Sequence, residues 1–144
     1  MSAIFTSQPP RWFMPVAVIF LLWNLMGVAS FVAHWIMTAA DIAALPDIQQ
    51  DMMNGMTTRT WVSFAVANGA GLLGGLALLF KRRWAASLFA ISFIAIIIQF
   101  SSPHLLDIAI NRDASIMYFP AFIAAMALLQ SLLSWRWSKR GWLK

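Results

Sequence analysis

The chain has 144 residues but no cysteine, no glutamate and only 10% charged residues. The absence of cysteine excludes disulfides, thiolate catalysis and zinc–sulfur sites. About a quarter of the residues in a soluble domain are charged, so this composition cannot cover a water-facing surface. The net charge of +5 lies in short segments beside apolar runs, which favours lipid headgroups over nucleic acid as neighbours.

Four long apolar runs remain, and they predict an all-α, membrane-embedded, antiparallel four-helix bundle in one domain, residues 1–144. The runs cover residues 12–37, 61–80, 84–100 and 116–135. Each is close to the ~20 residues that a helix needs to cross a bilayer, where every backbone group must be paired. The third run is short unless its helix continues past Pro103, where proline can instead start a separate turn.

The charges are segregated between the inter-span segments. All five aspartates lie in two segments, whereas eight of the ten basic residues lie in the others. By the positive-inside rule, both termini and the loop 81–83 are expected to be cytoplasmic. Seven of the eight tryptophans lie at or just beyond span ends, as an aromatic belt requires: Trp12, Trp35, Trp61, Trp84, Trp135, Trp137 and Trp142.

The first outer loop, residues 38–60, is long enough to hold structure of its own. Thr38 and Asp41 have the spacing of a helix cap, and Pro46 and Gly55 have the character of a helix start and stop. Apolar residues recur between them every three or four positions, which predicts a short amphipathic helix on the membrane surface. This helix either covers the end of the bundle or acts as a lid for a partner or substrate.

Each span carries one carboxamide: Asn24, Asn68, Gln99 and Gln130. Asn24 follows Arg11 by thirteen residues and Asn68 precedes Lys81 by thirteen, so counting from these charges puts both about 20 Å deep. Gln99 is predicted slightly deeper, and Gln130 much nearer the cytoplasmic face.

Small residues accompany these amides. Gly27 shares a helix face with Asn24, and Gly71 and Gly75 share one with Asn68, which allows a close approach of the two helices. One hypothesis is that Asn24 and Asn68 bond to each other as interhelical glue. The alternative is a polar cavity in which Asn24, Asn68 and Gln99 bind a hydroxylated solute, with Trp23 stacking on its ring. Both interpretations stay open on the sequence.

No charged residue lies within a span, so the sequence offers no buried carboxylate for proton coupling. No Ser-His-Asp constellation or phosphate-binding glycine loop is present, and we expect neither an enzyme nor a cofactor. Two weaker metal hypotheses remain: haem between His34 and His104, and Cu(I) at Met52, Met53 and Met56 with Met37 and His34.

The segment Leu21-Leu22-Trp23-Asn24-Leu25-Met26-Gly27-Val28 resembles a family of small bacterial four-span proteins that usually carry the label "sugar transporter". Ile42-Ala43-Ala44-Leu45-Pro46, Arg83-Trp84-Ala85 and the position of Gln99 add to the resemblance. The resemblance implies a facilitative transporter of a small polar solute in a bacterial inner membrane. Because four helices enclose little space, we expect such a transporter to be a homo-oligomer. The alternative is an accessory or scaffold subunit that docks another membrane protein.

Overall fold

The structure is a computed structural model that describes residues 8–144, so the first seven residues of the expected domain lie outside its scope. The described chain is helical and contains no strand. Its seven α-helices are α1 (Phe13–Trp35), α2 (Ala39–Ala43), α3 (Asp47–Asn54), α4 (Thr58–Leu79), α5 (Ala85–Phe100), α6 (Pro103–Asn111) and α7 (Tyr118–Lys139). A 3-10 turn, Ala114–Met117, leads into α7.

Three helical segments are long and apolar enough to cross a membrane: α1, α4 and the segment Ala114–Lys139. The pair α5 and α6 gives a fourth if it is one span, bent by 59° at the break. Ser102 caps α6 by accepting a hydrogen bond from the Leu105 amide, and Pro103 takes the first helical position. Proline therefore starts a separate helix here. The prediction of an all-helical chain with long apolar helices is confirmed.

The four long helices, α1, α4, α5 and α7, pack side by side. The backbone of α4 lies against both α1 and α5, and α5 lies against α7. Glycines on α4 make these approaches possible. A Cβ at Gly75 would lie 3.2 Å from the Leu21 backbone, and one at Gly74 would lie 2.9 Å from the Phe89 ring. Helices α4 and α5 consequently each have two of the long helices as close neighbours.

We call the end of the long helices that carries residues 80–85 and 136–144 the basic end. A fully or nearly fully buried apolar cluster fills it, including Phe13, Phe89 and Leu143. Trp137 and Trp142 belong to this cluster, at 2% and 8% exposure, so placing them in an aromatic belt was wrong. Trp137 lies on the same buried face of α7 as Gln130 and Ser134, and a reversal of the chain after α7 turns Trp142 inward.

That reversal is a Schellman motif. Gly141 has a φ of +76°, and the amide of Trp142 donates to the carbonyl of Trp137 over 3.1 Å. The following residues bond to the loop between α4 and α5. The Lys144 amide donates to the Lys81 carbonyl (2.6 Å), and the Arg83 amide donates to the Lys144 carbonyl (2.9 Å). These bonds clamp residues 141–144 across the basic end.

The opposite end, which we call the acidic end, carries α2, α3, α6 and all five aspartates. Thr38 and Asp41 form a reciprocal capping box at the start of α2, and the Thr38 hydrogen bonds lower the pKa of Asp41. Helix α3 joins α6 through Asp51, whose carboxylate pairs with Arg112 and whose carbonyl accepts a hydrogen bond from His104 Nε2 (2.8 Å). Two polar contacts to a single residue thus hold α3 over this end.

Candidate functional site

A cavity of about 180 Å³ lies among the four long helices. Each of those helices contributes one carboxamide to its wall: Asn24, Asn68, Gln99 and Gln130. Ser92 on α5 and Trp23 on α1 also line it, and most of the remaining wall is apolar. We refer to this space as the carboxamide cavity. The structure therefore places in one cavity all four residues that the sequence suggested for solute binding, Asn24, Asn68, Gln99 and Trp23, together with Gln130.

The contact between α1 and α4 is reciprocal. Asn24 Oδ1 lies where a Cβ on Gly71 would be, and Asn68 Oδ1 lies where a Cβ on Gly27 would be. Each asparagine also donates its amide N–H to its own helix, Asn24 to the Phe20 carbonyl (2.7 Å) and Asn68 to the Phe64 carbonyl (2.8 Å). Both helices thus carry the same pattern, Phe-x-x-x-Asn-x-x-Gly, which is the signal in the sequence for this reciprocal contact.

The hydrogen bond predicted between Asn24 and Asn68 is not formed within the described chain. Because each asparagine faces a glycine three residues from the other asparagine, the two amides are offset by about 4.5 Å along the helices. Their N–H groups bond to local carbonyls instead, as asparagine commonly does. Counting depth from Arg11 and Lys81 was too coarse to detect this offset.

The side chain of Gln130 lies in the cavity, although its position on α7 is nearer the basic end than that of Asn24 on α1, in the predicted order. Its Oε1 accepts a hydrogen bond from Asn24 Nδ2 at 3.4 Å. Measured from the Phe13–Trp137 contact, Asn24 is eleven residues away and Gln130 seven, a difference of about 6 Å. Side chains lean toward the start of their helix, and α1 and α7 start at opposite ends. The two amides therefore lean toward each other and close the gap.

The carboxamide cavity contains unused hydrogen-bonding capacity. Gln130 is 2% exposed, and its Nε2 has no partner among the described residues. Gln99 is 8% exposed, and no hydrogen bond from its side chain joins it to the rest of the described chain. Ser92 Oγ is already committed, because it donates to the Ala67 carbonyl at 2.7 Å. An unpaired buried amide is costly, so Gln130 and Gln99 are the groups that a bound molecule would satisfy.

Trp23 closes one side of the cavity between α1 and α7. Its ring packs edge-on against Phe122, with 5.5 Å between centroids. Side chains join α1 to α7 both here and in the aromatic cluster at the basic end, whereas the backbones of α1 and α4, of α4 and α5, and of α5 and α7 approach each other more closely. The boundary between α1 and α7 is therefore built from side chains.

A second space of about 530 Å³, which we call the vestibule, lies between the carboxamide cavity and α3. Gln99, Phe64 and Phe119 line both spaces, so the two are neighbours with a shared wall. Asp113 lines the vestibule, and hydrogen bonds from Ser115 lower the pKa of its carboxyl group. The vestibule thus has a negative charge at neutral pH.

The basic end of the cavity is filled. Phe13 packs against Trp137 with 5.2 Å between centroids, and Trp137 stacks on Trp142 at 6.3 Å. Phe20 meets both Trp137 and Phe89 at 6.3 Å. Among the described residues, aromatic rings therefore close the carboxamide cavity at the basic end, and the cavity is reached from the acidic end.

Metal ligands of the His, Cys, Asp and Glu types form no group of three anywhere in residues 8–144. Both histidines line the vestibule, and each already bonds to a backbone carbonyl: His34 Nδ1 to Ser30 (2.7 Å) and His104 Nε2 to Asp51 (2.8 Å). The three methionines of the Cu(I) hypothesis, Met52, Met53 and Met56, also line the vestibule, as does Met37.

No protein-family model, no curated protein and no solved structure matches this chain. The geometry of the two spaces and the resemblance in the sequence are therefore the indications of function.

Proposed function

We propose that the protein is a four-helix bundle of the bacterial inner membrane that facilitates the passage of a small neutral polar solute of the sugar or polyol class. The observation that carries this proposal is the buried, unpartnered Nε2 of Gln130 in a cavity that all four long helices line with carboxamides. The sequence resemblance to proteins labelled "sugar transporter" points in the same direction.

The chemistry of the carboxamide cavity favours a neutral solute. Its wall contains no charged side chain, so an ion would be poorly solvated there. Carboxamides both donate and accept hydrogen bonds, which matches hydroxyl groups. At roughly 30 Å³ per water molecule, a volume of about 180 Å³ corresponds to about six waters, which suits a small polyol or monosaccharide.

The topology follows from the charges. Basic residues concentrate at the basic end, so we place this end and both termini in the cytoplasm, with the vestibule open to the outside. Helix α3 then lies as an amphipathic lid on the outer surface. In this arrangement the solute enters through the vestibule, and the aromatic cluster at the basic end must open for it to leave.

A homo-oligomer would complete the carrier. Only 11% of an 18-residue apolar segment of α1 is buried. Large side chains such as Ile19 and Leu22 point outward, at 58% and 59% exposure. In a membrane this face contacts lipid or a second helix surface. The same face is the observation that favours the accessory-subunit alternative, in which another membrane protein covers it.

The test uses proteoliposomes that contain the full chain. Stopped-flow light scattering would record their swelling in glycerol, xylose and glucose. Gln130→Met keeps the volume of the side chain but removes its amide, and Ser134→Ala is the matched control. Ser134 Oγ is also buried without a partner, yet Ser134 lines neither the cavity nor the vestibule.

Ser134→Ala removes only an unsatisfied hydroxyl and should retain or gain stability, by about 1 kcal/mol. Gln130→Met removes an unsatisfied N–H group but also the acceptor of Asn24, whose Nδ2 keeps its bond to the Phe20 carbonyl, so stability should change by no more than about 1 kcal/mol. We expect Gln130→Met to lower solute flux at least tenfold and Ser134→Ala to leave it unchanged. Equal flux in the wild type and Gln130→Met would refute a role for the amide. The accessory-subunit alternative would be established by two results together. The wild type would transport none of the three solutes, and mild detergent would extract it from its own membrane in a complex of fixed stoichiometry with a different chain.

A further inference from the structure

Three thioethers cluster where α3 ends. Met52, Met53 and Met56 all line the vestibule, and all are half-buried. Met56 follows Met52 by four residues and Met53 by three, the two spacings that place side chains on neighbouring sites of a helical turn. The Met56 amide donates to the Met53 carbonyl at 3.2 Å, so the turn continues through Gly55. Unbranched methionine side chains can adjust their sulfur positions within such a turn.

The end of α1 contributes a nitrogen ligand to the same space. His34 lines the vestibule and is half-buried. Its Nδ1 lies 2.7 Å from the Ser30 carbonyl, and because a carbonyl can only accept, Nδ1 must carry the proton. Nε2 is therefore left with a lone pair. A histidine that donates one ring N–H to a backbone carbonyl and offers the other nitrogen is the usual arrangement at metal sites.

The surrounding charge attracts cations. The acidic end carries five aspartates against two arginines, Arg59 and Arg112. Asp113 lines the vestibule itself. Thioethers are soft, neutral ligands that favour Cu(I) over hard cations such as Mg²⁺ or Ca²⁺. The three thioethers, the free Nε2 of His34 and the negative charge of the acidic end thus all favour a soft cation.

We infer that the vestibule binds a soft monovalent cation, Cu(I) or its redox-inert analogue Ag(I), through the sulfurs of Met52, Met53 and Met56 and through His34 Nε2. Four ligands from two segments would tie α3 to the end of α1 when the metal is bound. This site is distinct from the carboxamide cavity, so it does not depend on solute transport.

The test is a measurement of Ag(I) affinity by isothermal titration calorimetry and of Cu(I) affinity by competition with bicinchoninate under anaerobic, reducing conditions. The full chain in detergent is compared with the triple variant Met52→Leu, Met53→Leu, Met56→Leu. The matched control replaces three other methionines by leucine, Met14, Met117 and Met126, none of which lines either space. Methionine and leucine are similar in volume, so both triple variants are expected to fold.

We expect the vestibule triple variant to lose at least about tenfold in affinity for both cations, His34→Gln to lose about tenfold, and the control to bind like the wild type. X-ray absorption of the Cu(I)-loaded wild type should show sulfur and nitrogen ligands, a readout that needs no variant. Absence of binding by the wild type, unchanged affinity in the vestibule triple variant, or equal losses in both triple variants would each overturn the assignment.

Discussion

The packing of α1 against α4 makes a sharp prediction at Gly71. A methyl group at this position would overlap Asn24 Oδ1 and would lie 3.2 Å from Ser92 Oγ. Gly69, two residues earlier in the same helix, has nothing within 4 Å of the corresponding methyl position and is exposed. Gly71→Ala and Gly69→Ala are therefore the same chemical change in one helix, with and without a steric conflict.

The magnitude can be derived from this pair. Alanine is a better helix former than glycine by about 0.8–1.0 kcal/mol, and both variants gain this term. Overpacking of a close contact costs about 1–3 kcal/mol, and Gly71→Ala alone carries this term. In the difference between the stabilities of the two variants, the gain in helix propensity that they share cancels. We expect Gly71→Ala to be less stable than Gly69→Ala by about 1–3 kcal/mol.

The assay is equilibrium unfolding of the purified chain in mixed micelles by titration with dodecyl sulfate, followed by circular dichroism and tryptophan fluorescence. A double-mutant cycle with Asn24→Ala tests the contact itself. Removing the Asn24 amide makes room for the new methyl group, so the cost of Gly71→Ala should fall by at least about 0.5 kcal/mol in that background.

Equal stabilities for Gly71→Ala and Gly69→Ala would refute the reciprocal packing of asparagine on glycine. An additive double-mutant cycle would show that the methyl group conflicts with something other than Asn24, such as Ser92. Gly71→Ala should also lower solute flux in proteoliposomes, because it displaces an amide of the carboxamide cavity, whereas Gly69→Ala should not.

Two further predictions concern the ends of the long helices. Asp51→Asn breaks an exposed ion pair with Arg112, so global stability should change by no more than about 1 kcal/mol, while hydrogen exchange in α3 should accelerate. Asp47→Asn, on the same helix but outside this pair, is the control, and equal exchange in both variants would contradict the role of Asp51 as the anchor of α3. Leu143→Ala should cost about 2–5 kcal/mol in micelle unfolding, since this side chain is 0% exposed. Leu132→Ala, at 54% exposure, should cost far less, and comparable losses would mean that Leu143 does not belong to the core.

Much of the fold could be predicted from short-range sequence features such as apolar runs, helix caps and prolines. The first apolar run, 12–37, became α1 (Phe13–Trp35), and the run 84–100 became α5 (Ala85–Phe100). Proline at a first helical position and a serine cap explain why α6 separates from α5. The cap of Thr38 on α2 is likewise visible in a few adjacent residues. Each of these features depends on neighbours in the sequence, which is why a single sequence suffices for them.

The candidate site was predicted only in part, because its geometry depends on how helices are offset and where side chains lean. Asn24, Asn68 and Gln99 were recognised as amides within spans, and the structure places all three in one cavity. Gln130 was left out of the candidate site because the depth count ignored the opposite lean of side chains on antiparallel helices. The burial of Trp137 was missed because its ring partners, Phe13 and Phe20, lie on α1, far away in the sequence.

The clamp at the basic end has a consequence for the order of assembly during synthesis. Arg83 and Leu143 are 60 positions apart, yet Arg83 Nε donates to the Leu143 carbonyl at 3.1 Å. At about 5–20 residues per second, a ribosome needs about 3–12 s to make the intervening chain. During that interval the Lys81 carbonyl and the Arg83 amide, in the loop between α4 and α5, are exposed to water because their partners have not yet been made. Nascent chains should therefore remain protease-sensitive at residues 81–83 until α7 and residues 141–144 have been made and have docked on this loop.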